Sequence, residues 1–421
     1  MRQHVTKINK KIYYGWMIVF IAAISMFFSS PGQTYSISVF NAVYENEFGY
    51  SKTMLSTGYS IATVCSGLLI VFIGKATDKF GHRKMYIIVT IMLAAAAFFS
   101  SMVMNIWMIY ISFFLLRFFG QGSMTLIPSS LVPQWFEKKR AFALSLMVMG
   151  SFFGTLLVPR LNLWLIQTFQ WQNAWRIWGF SLLIVLLPLV LLFIYNKPYE
   201  VGIQMENEDN LLSEEDQKML LDKESWTLSE ALKTKEFWFI GIMSMIVPMF
   251  ITGVTFHFYS IMGSRGVDNE TAAWIIGLVA FPIIFMPFVA RAFIDKTKPK
   301  YVFAITQIMI LFSMIILLFW VSNAGTAIFF ILFYGLAASI QSVTLNTVWP
   351  LYFGRKYLGS IRGMTTVFMV IGSAMGPLPF GVSYDQFDSF NPAIVAMMIF
   401  TLVTVLFTFL INKPEKKIVS L

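Results

Sequence analysis

Charge is scarce in this chain. Asp, Glu, Lys and Arg make up 12% of its 421 residues, about half the roughly 25% of a soluble domain. A water-facing exterior cannot be assembled from so little charge at this length, so the chain reads as an integral membrane protein. Cysteine is nearly absent too: Cys65 stands alone in an apolar run, with no partner for an intrachain disulfide. The only histidines are His4, His82 and His257, which excludes a Cys/His metal cluster. There is no H-E-x-x-H helix, no G-x-S-x-G elbow and no G-x-x-x-x-G-K-[ST] phosphate loop. Metal hydrolysis, an elbow-type nucleophile and a primary pump therefore lose their usual signatures, and neither enzymatic activity nor a cofactor is expected.

What is abundant is apolar. At 57% of the chain, the apolar residues number close to the roughly 240 that twelve helical spans of about 20 would use. The runs fall near 15–40, 54–74, 85–104, 106–131, 141–168, 174–195, 237–261, 271–291, 301–321, 326–350, 359–382 and 391–411. The first is too long, and followed by too many others, to be a cleaved signal peptide. Basic residues orient the spans. The two termini and alternate connections carry twenty-four Lys and Arg, whereas the opposite side has Lys52, Arg176 and Arg265. Such a bias predicts both termini in the cytoplasm and an even number of spans. The net charge of +10 is then explained by cytoplasmic loops, and no nucleic-acid partner is implied. Trp171, Trp175 and Trp178 cluster near the outer end of spans five and six, where an interfacial aromatic belt is expected.

The stretch 196–236 is the one hydrophilic segment, with eleven of the twenty-one acidic residues, among them Glu214, Glu215 and Asp216. Within it, Thr227-Leu-Ser-Glu230 has capping-box spacing and predicts a short helix leading into span seven. This loop divides the chain into six-helix bundles at 1–195 and 237–421. The halves echo each other. Pro133-Gln-Trp135-Phe136-Glu-Lys138-Lys139 matches Pro350-Leu-Tyr352-Phe353-Gly-Arg355-Lys356 at a spacing of 217, and Asp78-Lys79 matches Asp295-Lys296 at the same spacing. Gly150-Ser-x-x-Gly154 recurs as Gly372-Ser-x-x-Gly376, five residues out of step. Six helices per half make the repeats parallel. The expected fold is an all-α membrane protein of twelve transmembrane helices in two parallel-repeat six-helix bundles, with a solute site near midplane.

Between spans two and three stands Gly74-Lys-Ala-Thr-Asp78-Lys79-Phe-Gly81-His82-Arg83-Lys84. The run closely resembles the signature loop of the major facilitator superfamily, and the resemblance covers the whole chain. It implies a rocker-switch transporter, most often a monomer, in which such loops latch one conformation. The latch positions are Gly74, where close helix approach is expected, and Asp78, Lys79, Arg83 and Lys84. Arg291, Asp295 and Arg362 would serve the second half. Within the superfamily, the chain is similar to the monocarboxylate transporter and oxalate:formate antiporter branch. Gly15-Trp16, Tyr35-Ser-Ile-Ser-Val-Phe40 and the Trp135-Phe136 loop carry that similarity. It departs from the branch at three charged substrate positions, which fall here on Tyr35, Pro287 and Met369.

Four cations lie within or near the ends of spans: Arg117, Arg160, Arg291 and Arg362. Intramembrane charges usually face a bundle interior or a cavity. Arg117, near the middle of span four, reaches neither surface by snorkelling; it either works on a solute or proton or holds the structure. Arg160 lies nearer the outer end. The polar side chains Tyr35, Gln121, Asn346 and Trp349 complete a candidate solute site, each with an interhelical hydrogen bond as its plainer alternative. Gln33, Asn162 and Gln341 lie at similar depth. His257 either exchanges a proton or is a hydrogen-bonded core histidine. The glycines at 120, 122, 150 and 154 are expected to serve helix packing. The expected function is secondary transport of a small organic solute, with a carboxylate-type anion favoured by the cationic surplus and a proton as a further partner. A proton-driven exporter of amphipathic compounds is the alternative. Very short termini and no targeting peptide suggest a bacterial cytoplasmic membrane.

Overall fold

In the computed structural model the described residues are 9, 12–203, 225–286, 299–354 and 357–414, and at 299, 346, 347, 358 and 359 only the backbone is described. Among these residues there is no strand, and eleven helical runs are long and apolar enough to cross a membrane. The longest, Arg140–Phe193, has 54 residues and would extend about 80 Å at 1.5 Å per residue, against a hydrocarbon core of roughly 30 Å. It breaks at Gln170, where φ is 70° and ψ is 157°. That break separates spans five and six, which gives twelve spans.

Several spans are jointed. Span one consists of Gly15–Phe28, a 3-10 turn at Ser30–Gly32 and Thr34–Phe48. Pro31 has no amide hydrogen for a continuous helix. The hydroxyls of Ser29 and Ser30 donate instead to the carbonyls of Met26 (2.7 Å) and Phe27 (2.5 Å) at the end of the first piece. Span four runs Ile106–Leu116, a π-helical turn at Arg117–Ser123, then Met124–Leu131. Gly120 and Gly122 weaken the helix there. Ser123 and Thr125 hydroxyls donate to Phe118 O (2.8 Å) and Gln121 O (2.5 Å), meeting acceptors in the widened turn. Span seven stops at Phe256 and resumes at Phe258–Ser264.

The residues form two compact units. One comprises Met1–Asn210, Thr255–Ser260 and Asn269–Gly277; the other comprises Leu211–Val254, Ile261–Asp268 and Leu278–Leu421. In the first, span five lies directly on span one. A Cβ on Gly150 would stand 1.7 Å from Ala23 O, and one on Gly154 would meet Ser30 Oγ at 2.8 Å and Phe27 Cα at 3.8 Å. In the second, span eleven (Leu358–Met375) lies on span seven in the same way, with Gly372 against Met245 O (2.5 Å) and Gly376 against Met249 O (2.2 Å). All four members of the second seam, 245, 249, 372 and 376, stand 222 positions after 23, 27, 150 and 154. The packing function expected for Gly150 and Gly154 is thus present in both repeats.

The tryptophans near the span-six entry correct the aromatic-belt expectation. Trp171, Trp175 and Trp178 are 4%, 1% and 3% exposed. Each buried indole N–H needs an acceptor: Trp171 donates to Glu47, Trp175 to Tyr44 Oη at 3.1 Å and Trp178 to Asn162 Oδ1 at 2.7 Å. They pin span six to spans one and five. In the central segment, the capping box forms as its spacing predicts. Glu230 N donates to Thr227 Oγ1 (3.3 Å), Thr227 N donates to Glu230 Oε2 (2.8 Å), and Leu228–Ala231 is helical. Glu214, Glu215 and Asp216 lie outside the described residues.

Candidate solute-binding site

The π-helical turn of span four and the 3-10 turn of span one meet backbone to backbone. A Cβ on Gly120 would be 2.8 Å from Gly32 Cα, and one on Gly32 would be 2.1 Å from Leu116 O. Two glycines are required because no side chain fits between these segments. Irregular backbone at membrane depth is tolerated where it is enclosed by protein or lines a cavity, and π-turns recur at functional sites.

Arg117 opens this turn. It is 3% exposed. Its Nη1 donates to Thr34 Oγ1 at 3.3 Å, the first residue after the span-one break, and its guanidinium lies 4.8 Å from the centroid of Tyr59 on span two (Lys52–Phe80). Tyr59 Oη and Thr34 Oγ1 are 2.7 Å apart, which closes a triangle of three spans. Among the described residues no carboxylate pairs with Arg117, and its Nε has no hydrogen-bond partner. Gln121, four residues on, likewise leaves Oε1 unpartnered. Aromatic rings wall the site: Tyr59 packs at 4.5 Å on Phe256 and 5.8 Å on Phe113.

His257 follows Phe256 at the interruption of span seven, and its Nε2 is 2.9 Å from Ser56 Oγ, three residues before Tyr59 on span two. The structure therefore brings Arg117, Gln121 and His257 to neighbouring elements. One turn before Ser56 on span two, Lys52 is ion-paired with Glu45 and donates to Ser260 Oγ at 3.0 Å. Lys52, one of the few basic residues on the side opposite the termini, is 8% exposed and so a buried, ion-paired cation. Asn41 Nδ2 donates to Phe256 O at 3.3 Å.

Other expected site residues lie elsewhere. Arg160 forms a 3.3 Å ion contact with Glu270, so its charge is answered within the protein. Tyr35 Oη is 3.0 Å from Ser30 Oγ and packs where Gly154 leaves room, against span five rather than beside Arg117. Trp349, 1% exposed, is embedded in the second unit among Phe237, Phe353 and Phe368, with Met369 at the edge of that cluster. The side chain of Asn346 and all of Arg291, Asp295 and Pro287 lie outside the described residues. Asn162 spends both ends of its amide on Ser36 Oγ (2.8 Å) and Trp178, a core function.

The loop after span two divides by residue. Arg83 caps the end of span six: it donates to Leu191 O at 2.6 Å and stacks over Tyr195 at 5.0 Å, while its amide donates to Asn196 Oδ1 at 2.9 Å. Gly81 takes φ 85° to make that turn. Asp78, Lys79 and Lys84 are exposed, and Asp78 has no ion pair among the described residues. Gly74 corrects the packing expectation: a Cβ there meets nothing within 4 Å, so helix approach does not require this glycine in the arrangement observed. Arg362 is exposed in the second turn of span eleven.

The sequence singles out Arg117, Gln121 and His257 as candidates, and it does not single out Thr34, Tyr59, Glu45 or Lys52, which the structure places beside them. Thr and Tyr within an apolar run carry no periodic signal that separates a site wall from a core. The seven-residue spacing of Glu45 and Lys52 across a Gly-Tyr-Ser turn was the available hint.

Known transporters share this architecture. The inward-facing, unoccupied structure of a bacterial homologue of the human lysosomal transporter Spinster aligns with a TM-score of 0.73 and 14% identity, covering 95% of this chain and 97% of that one. A mutant of the nucleoside transporter NupG aligns with a TM-score of 0.73 and 12% identity, over 93% and 99%. Those identities show the fold alone. The chain is 23% identical to the hexuronate transporter of Escherichia coli K12 over 315 residues, 70% of this chain and 71% of that one. It is 26% identical to human monocarboxylate transporter 14 over 166 residues, 39% of this chain and 32% of that one. A family model for the Major Facilitator Superfamily matches residues 16–377 and 266–419. The expectation raised by the loop after span two is met over nearly the full length, and this protein is a member of the Major Facilitator Superfamily.

Proposed function

We propose that this protein is a secondary transporter that moves a small organic anion of the carboxylate class across the membrane by rocker-type alternating access. The observation that carries the reading is the buried guanidinium of Arg117, which has no carboxylate partner among the described residues. An unpaired charge removed from water costs several kcal/mol, and a bound carboxylate offsets that cost with charge-assisted hydrogen bonds to the fork. Nε and the Tyr59-facing edge supply the donors, the Gln121 carbonyl accepts from a hydroxyl on the cargo, and the ring wall takes its apolar body. With Arg117 closed in by neighbouring spans, solute reaches it only when those spans part, as alternating access requires.

His257 is the proposed proton carrier, its ring held by the hydrogen bond between Nε2 and Ser56 Oγ. The basic ends of the spans face the cytoplasm in this reading, with both termini there, in a bacterial cell membrane. The protein works as a monomer and has no enzymatic activity. Similarity to hexuronate and monocarboxylate transporters supports the anion class.

Proteoliposomes loaded symmetrically with carboxylates test this. Accumulation of a labelled carboxylate should fall at least about 10-fold in Arg117→Gln, the loss of a charged hydrogen bond, and recover in part in Arg117→Lys. Undiminished uptake by Arg117→Gln removes the anion site. Proton-driven extrusion of an amphipathic cation, with no carboxylate flux, would favour the exporter that the Tyr59, Phe113 and Phe256 wall also suits.

A further inference from the structure

Pro248 lies inside the span-seven helix Lys235–Phe256. Its nitrogen carries no hydrogen, so the carbonyl four residues back, that of Ser244, loses its helical donor. Gln341 of span ten (Ala324–Phe353) supplies a replacement: its Nε2 donates to Ser244 O at 2.8 Å. One residue earlier, Met243 O accepts from Nε2 of Gln307 in span nine (Pro299–Phe319) at 3.1 Å. Gln307 is 0% exposed and Gln341 3%, so neither bond competes with bulk water. The Ser244 hydroxyl is committed to Gly241 O at 2.6 Å and does not reach the gap. A carboxamide is the side-chain copy of the missing peptide group, and two of them, from two helices, meet on consecutive carbonyls.

The first repeat lacks both halves of this arrangement. At the 222 spacing of the glycine seam the counterpart of Pro248 is Met26, and at the 217 spacing of the span-four and span-ten loops the counterpart of Gln341 is Met124. Where there is no proline there is no glutamine.

We propose that Gln341 is a positioning residue for span seven. It stands in for the amide that Pro248 removes and, together with Gln307, clamps the helix at Pro248 so that this stretch of span seven is tied to spans nine and ten. The clamp is independent of what the protein carries.

The test compares Gln341→Leu with and without Pro248→Ala in the full-length protein purified in detergent. Alone, Gln341→Leu should lower Tm by roughly 3 °C, the shift expected for one lost internal bond in a chain of a few hundred residues, and should speed amide exchange in 240–250 several-fold. With Pro248→Ala, the new alanine amide donates to Ser244 O, and the same substitution should cost less than half as much in Tm and exchange. Equal losses in both backgrounds, or no loss in either, overturn the proposal. If Gln341→Leu alone does not fold, folding of the double variant supports the clamp, and failure of the double variant while Pro248→Ala alone folds overturns it.

Discussion

In the first repeat span five lies on span one through Gly150 and Gly154, and in the second span eleven lies on span seven through Gly372 and Gly376. The scaffolding contact is the same. What crosses it differs. At the 217 spacing, the counterpart of Arg117 is Tyr334, whose hydroxyl donates to Ile251 O at 2.7 Å, a neutral bond fully made within the protein. The counterpart of Gly120 is Ala337, and span ten runs unbroken through this level, where span four widens into a π-turn. One repeat thus carries a buried charge with donors to spare on irregular backbone; the other carries a proline whose one freed carbonyl, Ser244 O, is met by Gln341. Packing is set by small residues at fixed spacing and survives duplication, whereas polar chemistry changes with single substitutions at positions the seam leaves free.

The likeness breaks first at the seam. Gly150→Val and Gly372→Val should each cost more than about 3 kcal/mol, since backbone cannot yield as a flexible side chain does, and each should abolish a monodisperse peak on gel filtration. Gly74→Ala, with open space around it, should leave that peak intact; tolerance of valine at either seam glycine would mean the repeats do not share it. The difference in charge is read by ligand. Arg117→Gln should weaken carboxylate-induced thermal stabilisation by about 10- to 100-fold in apparent Kd, the worth of a charged hydrogen bond, while Tyr334→Phe should change it less than about 2-fold. Equal effects would erase the asymmetry.

Smaller effects sharpen the picture within each unit. Trp178→Phe leaves Asn162 Oδ1 buried without its donor and should cost about 1–2 kcal/mol in Tm-derived stability. Trp164→Phe, at a residue 49% exposed, should cost almost nothing. If the two match, the indoles near span six serve as a belt after all. Smallest is Thr227→Ala, which removes the cap of Leu228–Ala231 and should cost about 1 kcal/mol, measured as faster amide exchange over 227–233.

Much of this was legible in the sequence because it depends on local pattern. Apolar run length gave the spans, glycine spacing gave the seams, and Thr227 with Glu230 gave the cap. The break at Gln170 falls in the gap between the apolar runs 141–168 and 174–195. The direction of long side chains was not legible. Trp171, Trp175 and Trp178 have the composition of a lipid-facing belt, yet partners far along the chain turn them inward. Lys52 looks like a loop lysine until Glu45 is brought beside it by the turn. Arg160 and Arg117 differ in the sequence only in their depth along a span; tertiary packing gives one a carboxylate and, among the described residues, leaves the other without.

The contact of Gly32 with Gly120 has a mechanical consequence. Two chains touching without side chains between them have no soft layer to absorb displacement, so a tilt of span four must be passed to span one at that level or open a gap there. The point acts as a fulcrum beside Arg117, and a single added methyl would measure how far the fulcrum can lift.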